Sequence, residues 1–127
     1  MASKFDFADT VHDILKASVQ YEAVEAMTKV IPQVGKEAAK KLKAESPKET
    51  GKYARSWKFQ AERGRLRVGG TVYAASPEYR LTHLLEKGHA KRGGGRTAPI
   101  VHIEPVEKWA NEEAFERTIE ELERRMR

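Results

Sequence analysis

PEYRLTHLLEKGHAKRGGGRTAPIVHIEPV, residues Pro77 to Val106, holds three of the chain's four histidines and its only glycine triplet. Its opening part, Tyr79 to Lys87, is a short amphipathic segment with Leu81, Leu84 and Leu85 on one side. It stops at Gly88, the residue type that most readily takes the left-handed conformation ending a helix. Lys91, Arg92, Gly93, Gly94, Gly95 and Arg96 then offer charge and backbone freedom but nothing to bury, which predicts a flexible basic loop. Ile100, Val101 and Ile103 are apolar and partly β-branched, so the chain is expected to re-enter a core before Pro105. The stretch reads as a cationic loop tied at both ends, with the rest of the chain as its support.

Upstream, Tyr53, Arg55, Trp57, Phe59 and Ala61 alternate with Ala54, Ser56, Lys58 and Gln60, the pattern of a strand with one apolar face. Arg63 and Gly64 supply a reversal, and Leu66, Val68, Val72 and Ala74 mark a second strand. Its Gly69 and Gly70 suggest a bulge or the close approach of another backbone. The turn-forming run Ser46, Pro47, Lys48, Glu49, Thr50 and Gly51 separates this hairpin from a helical region. There Val24, Met27, Ile31, Val34, Ala38 and Leu42 recur three and four residues apart and keep phase through Pro32. A proline inside a helix costs about 3 kcal/mol and one hydrogen bond, so the stripe is either one kinked helix or two abutting helices. Ile31 makes a poor cap, which favours the kinked helix. Phe7, Val11, Ile14 and Leu15 predict a separate short helix over Ala8 to Gln20, capped by Asp6 or Asp9, as an N-terminal helical extension over residues 1–20. Lys36, Lys40, Lys41 and Lys43 fall on the polar side of the long helix; a solvated face is the plain reading and a partner patch the sharper one.

Downstream, Phe115, Ile119, Leu122 and Met126 predict a third helix over Val106 to Met126. Its glutamates come early and Arg124, Arg125 and Arg127 late, the order that the helix dipole favours. The 127 residues thus describe a single α+β domain: a long N-terminal helix and a C-terminal helix packed on a small antiparallel sheet. With 39% hydrophobic against 34% charged residues, the core is real but modest. Cysteine is absent, so disulfides and thiolate metal sites are excluded and an intracellular setting fits. No apolar run nears the roughly 20 residues a membrane span needs, and no secretory signal opens the chain.

Candidate chemistry centres on His83, Glu86, His89 and His102. These residue types bind zinc, and His83 and Glu86 would share a helix face. In HLLEKGH, however, the histidines are six apart around a helix-ending glycine, unlike HExxH, so the residues read better as loop anchors with Gly88, bonding the loop ends and one another. KRGGGRT lacks the GxxxxGK[ST] of a phosphate loop, and no GxSxG is present. No catalytic residue, cofactor or small-molecule substrate is expected. The net charge of +5 makes a small basic nucleic-acid-binding protein the alternative reading, with Lys87, Lys91, Arg92 and Arg96 on phosphates.

Taken together, SPKETGKYARSW (Ser46 to Trp57), YRLTHLLEKGHAKRGGGR (Tyr79 to Arg96) and VHIEPVEKWANEE (Val101 to Glu113) resemble the minor tail-component family of tailed bacteriophages, also described as tail-completion or head-tail joining proteins. The likeness runs from about Tyr21 onward and rests on Pro47, Thr50, Gly51, Glu86, Gly88, His102 and Pro105, with Pro32 a departure from the pattern. The resemblance implies a noncatalytic virion protein of the neck or tail top. It would be assembled in the host bacterial cytoplasm, oligomerise into a ring, contact other neck, connector or tail proteins, and have the genome pass through it. On that reading Lys91 to Arg96 is the joining loop, and Arg92 and Arg96 are expected to meet acidic groups of a neighbour. Glu112, Glu113, Glu116 and Glu120 would then face either a lumen or a neighbouring subunit, a solvated outer face being the plainer alternative.

Overall fold

The computed structural model describes residues 4–47, 51–64, 67–78 and 80–126, with the side chains at 9–20 and 83 outside that description. In order come β1 (Lys4–Phe7), α1 (Asp9–Glu45), α2 (Lys52–Arg55), β2 (Trp57–Arg63), β3 (Val68–Ala74), α3 (Arg80–Lys87) and α4 (Ile103–Arg125). The strands form an antiparallel sheet in the order β1-β3-β2. α1 packs against β2 and β3 and also against α4, which reaches β1 as well. The α+β architecture expected from the sequence is the one observed.

The N-terminal segment differs from its helical expectation. Lys4–Phe7 alternates exposed and buried, so Phe5 and Phe7 enter the core from a strand rather than a helix. Phe7 matched both a period of two toward Phe5 and a helical spacing toward Val11, and pairing with β3 decided it. Asp6 therefore caps nothing; it accepts the Thr71 hydroxyl at 2.5 Å across the sheet. The junction is made by Ala8 at φ 80, with no side-chain cap. Nor is there a separate helix over 8–20, since α1 is continuous for 37 residues and passes through Pro32. Burial of Val30, Ile31, Val34, Ala38 and Leu42 offsets the bond that Pro32 removes. The expected apolar contributions of Val11, Ile14, Leu15 and Leu66, and the turn residues 48–50, lie outside the described residues.

β2 starts later than the alternation implies. Gly51, at φ 80, opens the helical turn Lys52–Arg55, and Ser56 Oγ closes it by donating to Tyr53 O at 2.5 Å. Tyr53 and Trp57 thus meet edge-on, with ring centroids 5.8 Å apart, instead of sharing a strand face. Ala61, expected on the apolar side, is exposed. At Gly69 and Gly70 there is no bulge, because the β2–β3 register runs unbroken from Trp57↔Ala74 to Arg63↔Val68.

Gly70 instead makes room for a ring. A Cβ there would lie 2.3 Å from Phe59 Cε1, and one on Gly35 of α1 would lie 2.1 Å from the same atom. Phe59 fills the seam between helix and sheet only because both positions lack side chains. Gly→Ala inside a helix ordinarily stabilises by roughly 0.5–1 kcal/mol. Gly35→Ala should reverse that sign and cost about 1–3 kcal/mol, because the ring cannot retreat toward Gly70. Thermal unfolding reads the effect directly, and a variant as stable as the parent would show that Phe59 can step aside.

On α4 the buried seam is Val106, Ala110, Ala114 and Thr118, continued by Glu121 and Leu122. Of the bulky stripe expected from periodicity, only Leu122 is fully inside. Phe115 and Ile119 flank the contact, and Met126 is 62% exposed. Small residues every fourth position let the α4 backbone approach α1 closely, so the large side chains border the seam. Arg117 reinforces it with two bonds to Glu37 of α1, at 2.5 and 3.0 Å, and one to Glu113. No described helix is long and apolar enough to cross a membrane.

Candidate interaction site

The basic loop departs from the C-terminus of α3 and returns to the N-terminus of α4, and one carboxylate joins these two points. Glu86 Oε1 accepts the backbone N–H groups of His102 at 2.7 Å and Ile103 at 3.0 Å, while Oε2 accepts that of Glu104 at 3.1 Å. The first N–H groups of a helix have no partner within it, and their positive end of the dipole favours a negative charge. α4 draws that charge from another helix, sixteen residues upstream of His102. Burial by itself would raise the Glu86 pKa, but these three N–H groups and His102 hold it below the usual carboxylate value.

His102 extends the arrangement inward. Its Nδ1 lies 2.6 Å from Ile100 O and 3.0 Å from Glu86 Oε1, both acceptors, so Nδ1 carries a proton. Nε2 is 2.7 Å from the Tyr53 hydroxyl, which burial and the Glu86 charge keep protonated well above its usual range. The phenol and Nε2 are thus hydrogen-bonded to each other. The Tyr53 ring stands edge-on to both His102 and Trp57, and the indole N–H donates to Ser46 Oγ at 2.9 Å, which donates on to Leu42 O. A chain of satisfied polar groups thus runs from the end of α1 through α2 and β2 to the start of α4. Glu86, His102 and Tyr53 are at most 4% exposed, so the trio braces the fold and does not face solvent.

Of the expected anchors, Glu86 and His102 meet directly. Gly88 is left-handed at φ 75, and a Cβ on it would lie 2.5 Å from Thr97 O of the returning strand. His89 engages Thr97 instead of the Glu86 pair: its N–H donates to Thr97 Oγ1 at 2.9 Å, and its carbonyl accepts Thr97 N–H at 2.8 Å. The His83 side chain lies outside the described residues. Among the described residues no group of three metal-ligating side chains comes together, and the contacts of Glu86 and His102 account for their polar atoms.

The loop closes on itself. An isolated bridge joins Ala90 and Arg96, Lys91 N–H donates to Gly95 O, and Gly94 N–H donates to Lys91 O. Gly94 and Gly95, at φ 106 and 78, supply the reversal. Lys91, Arg92, Gly93, Gly94, Gly95 and Arg96 are all exposed. Arg96 also works as an anchor, because its Nη2 donates to Gly88 O at 3.2 Å.

Two expectations about the flanks are corrected. Leu81 and Leu84 are 39% and 41% exposed, and the inward face of α3 is Thr82, Leu85 and Glu86. Ile100 and Val101, 45% and 55% exposed, have not yet re-entered the core; Ile100 is held by its N–H donating to Leu85 O, and burial resumes at His102 and Ile103. Periodicity marked these side chains as apolar but could not reveal that the inward side of α3 must serve a helix terminus. The result is a surface in which exposed aliphatic residues border an exposed cationic hairpin. Among the acidic candidates, Glu113 is taken by Arg117, whereas Glu112, Glu116 and Glu120 are exposed without an ion pair among the described residues. Glu121, absent from the expected set, is buried beside Lys29, Arg124 and Arg125, and Arg124 foremost brings its pKa down to about 2. Comparison with known protein families, curated proteins and solved structures found no match.

Proposed function

We propose that this protein is a structural subunit of a tailed-phage neck, a tail-completion component that associates into a ring and joins the tail to the DNA-filled head. The observation that carries the reading is the presentation of loop 88–99. An exposed cationic hairpin stands between exposed Leu81, Leu84, Ile100 and Val101, while its two ends are fixed by a buried, fully bonded carboxylate. A surface that mixes apolar and charged groups on a braced base suits docking to another protein, where aliphatic area contributes affinity and charge contributes orientation. The ordered motifs around Gly51, Gly88 and Pro105 that resemble the tail-completion family support the same reading.

Arg92 is the sharper of the two arginines for contacting a partner, since Arg96 is partly occupied with Gly88 O. Arg92→Glu combined with Lys91→Glu should abolish infectious particles while leaving the fold intact. In the virus that carries the gene, deleting it should leave filled heads lying apart from finished tails in electron micrographs. Joined particles at normal titre in either experiment would overturn the reading.

A further inference from the structure

Lys36, Lys40 and Lys43 on α1 and Lys58 on β2 wall a groove of ≈ 520 Å³ that Phe59 and Tyr73 also line, with no carboxylate in its walls among the described residues. Lys41, grouped with these lysines by sequence, turns away and lies over the Trp109 ring at 4.6 Å. None of the four groove lysines forms an ion pair among the described residues. Glu37, which feels Lys40, is held by two bonds from Arg117. Four ammonium groups around one concavity repel one another, and a negative partner relieves that repulsion.

The chain carries such a partner on its own surface. Glu112, Glu116, Glu120 and Glu123 are exposed and free of ion pairs among the described residues; Glu112, Glu116 and Glu123 lie opposite the α4 seam of Ala110, Ala114 and Thr118, while Glu120 stands at its border, lining a cleft with Lys29, Val30 and Gln33 of α1. Because that seam is packed on α1, Glu112, Glu116 and Glu123 point away from α1, and Glu120, beside it, does not line the lysine groove of its own molecule. Lys36, Lys40 and Lys43 are spaced four and then three residues apart, and so are Glu116, Glu120 and Glu123. At a rise of ~1.5 Å per residue, parallel alignment puts the three pairs in register at steps of about 6 and about 4.5 Å.

We propose that the lysine groove receives the acidic face of α4 from a second copy of this chain. The inference rests on the self-associating reading above and deepens it. One patch meets a different patch, so each added copy offers another groove and another acidic face, the heterologous contact that builds a ring when its rotation closes. A nucleic-acid backbone is the other polyanion that lysines attract, but only the acidic helix presents charges in the matching four-three spacing.

Charge exchange tests it. Wild-type protein at low ionic strength should sediment as an oligomer that dissociates as salt is raised. Lys36→Glu/Lys40→Glu/Lys43→Glu and Glu116→Lys/Glu120→Lys/Glu123→Lys should each lose the oligomer while keeping wild-type circular dichroism. Mixing the two should restore it, because each reversed groove then faces a reversed helix. Variants that assemble like wild type, or a mixture that stays monomeric, overturn the interface and leave the ring intact. If the groove variant keeps its oligomer but loses duplex DNA in filter binding, the groove is a nucleic-acid site and the proposal fails. A wild-type chain that is monomeric throughout also overturns it, and the joining role is then decided separately by the micrographs of particles.

Discussion

Glu86→Ala is expected to cost about 3–5 kcal/mol, a large fraction of the stability of a domain this size. Truncation strands the N–H groups of His102, Ile103 and Glu104 and leaves His102 Nδ1 with Ile100 O alone. Glu86→Gln is the finer probe. Its amide oxygen can replace Oε1 toward His102 and Ile103, but its NH2 group would then face the Glu104 N–H, donor against donor, for about 1–2 kcal/mol. Urea unfolding monitored by circular dichroism separates the three proteins. A Glu86→Ala midpoint equal to the parent's would remove the carboxylate from its bracing role.

The same group sets a pH dependence. The folded-state pKa of Glu86 is lowered, so the unfolded chain binds more protons in acid, and the stabilisation is complete above the ordinary carboxylate value of 4.5. It is lost as pH falls through the folded value. Glu37, lowered chiefly by Arg117, and Glu121, lowered to about 2 chiefly by Arg124, act in the same direction. Glu107 opposes them, since burial and then Glu104 raise its pKa and its protonation favours the folded state. The wild-type urea midpoint should therefore drop from about pH 5 toward about pH 2, and the Glu86→Gln curve should be shallower over that window. Parallel curves would show that Glu86 titrates alike folded and unfolded.

Trp57→Ala should be comparably severe, at about 3–5 kcal/mol. The indole is 0% exposed, lies against the Tyr53 ring and donates to Ser46 Oγ, so its loss leaves both a cavity and a hydroxyl without its donor. Trp57→Phe keeps most of the volume and should forfeit only about 1–2 kcal/mol for the N–H bond. Ser46→Ala in the Trp57→Phe background should then add little of that bond's share, since the donor is already gone. A loss below about 1 kcal/mol for Trp57→Ala would mean that the site collapses readily and the network is not held by packing.

Long periodic signals were the legible ones. The stripe from Val24 to Leu42 and the alternation at Trp57 and Phe59 met the core through the face their period implied, and the final helix was legible as a helix, though of its expected stripe only Leu122 is fully buried. Short segments were decided by pairing rather than local pattern: Phe7 fitted two periods, and the Tyr53 turn hid inside an alternating run. On α4 the large side chains drew attention, whereas alanines made the closest contact, a choice that depends on helix separation and not on hydrophobicity. For the site, Gly88, Glu86 and His102 could be identified as anchors by residue type. That Glu86 terminates a different helix was not legible, because capping by a side chain from far along the chain leaves no local spacing to read. The lysines of α1 were visible, but Lys58 joins them only once β2 is folded alongside.

Both legs of the hairpin end on a single clamp, since α3 delivers Glu86 and the returning leg delivers the N–H groups it holds. A pull on the tip therefore travels along two helix axes as tension instead of prising one leg from the body. The carboxylate ties the two legs together, and the long helix α1, which supplies more of the described core than any other element, backs α4 along its seam.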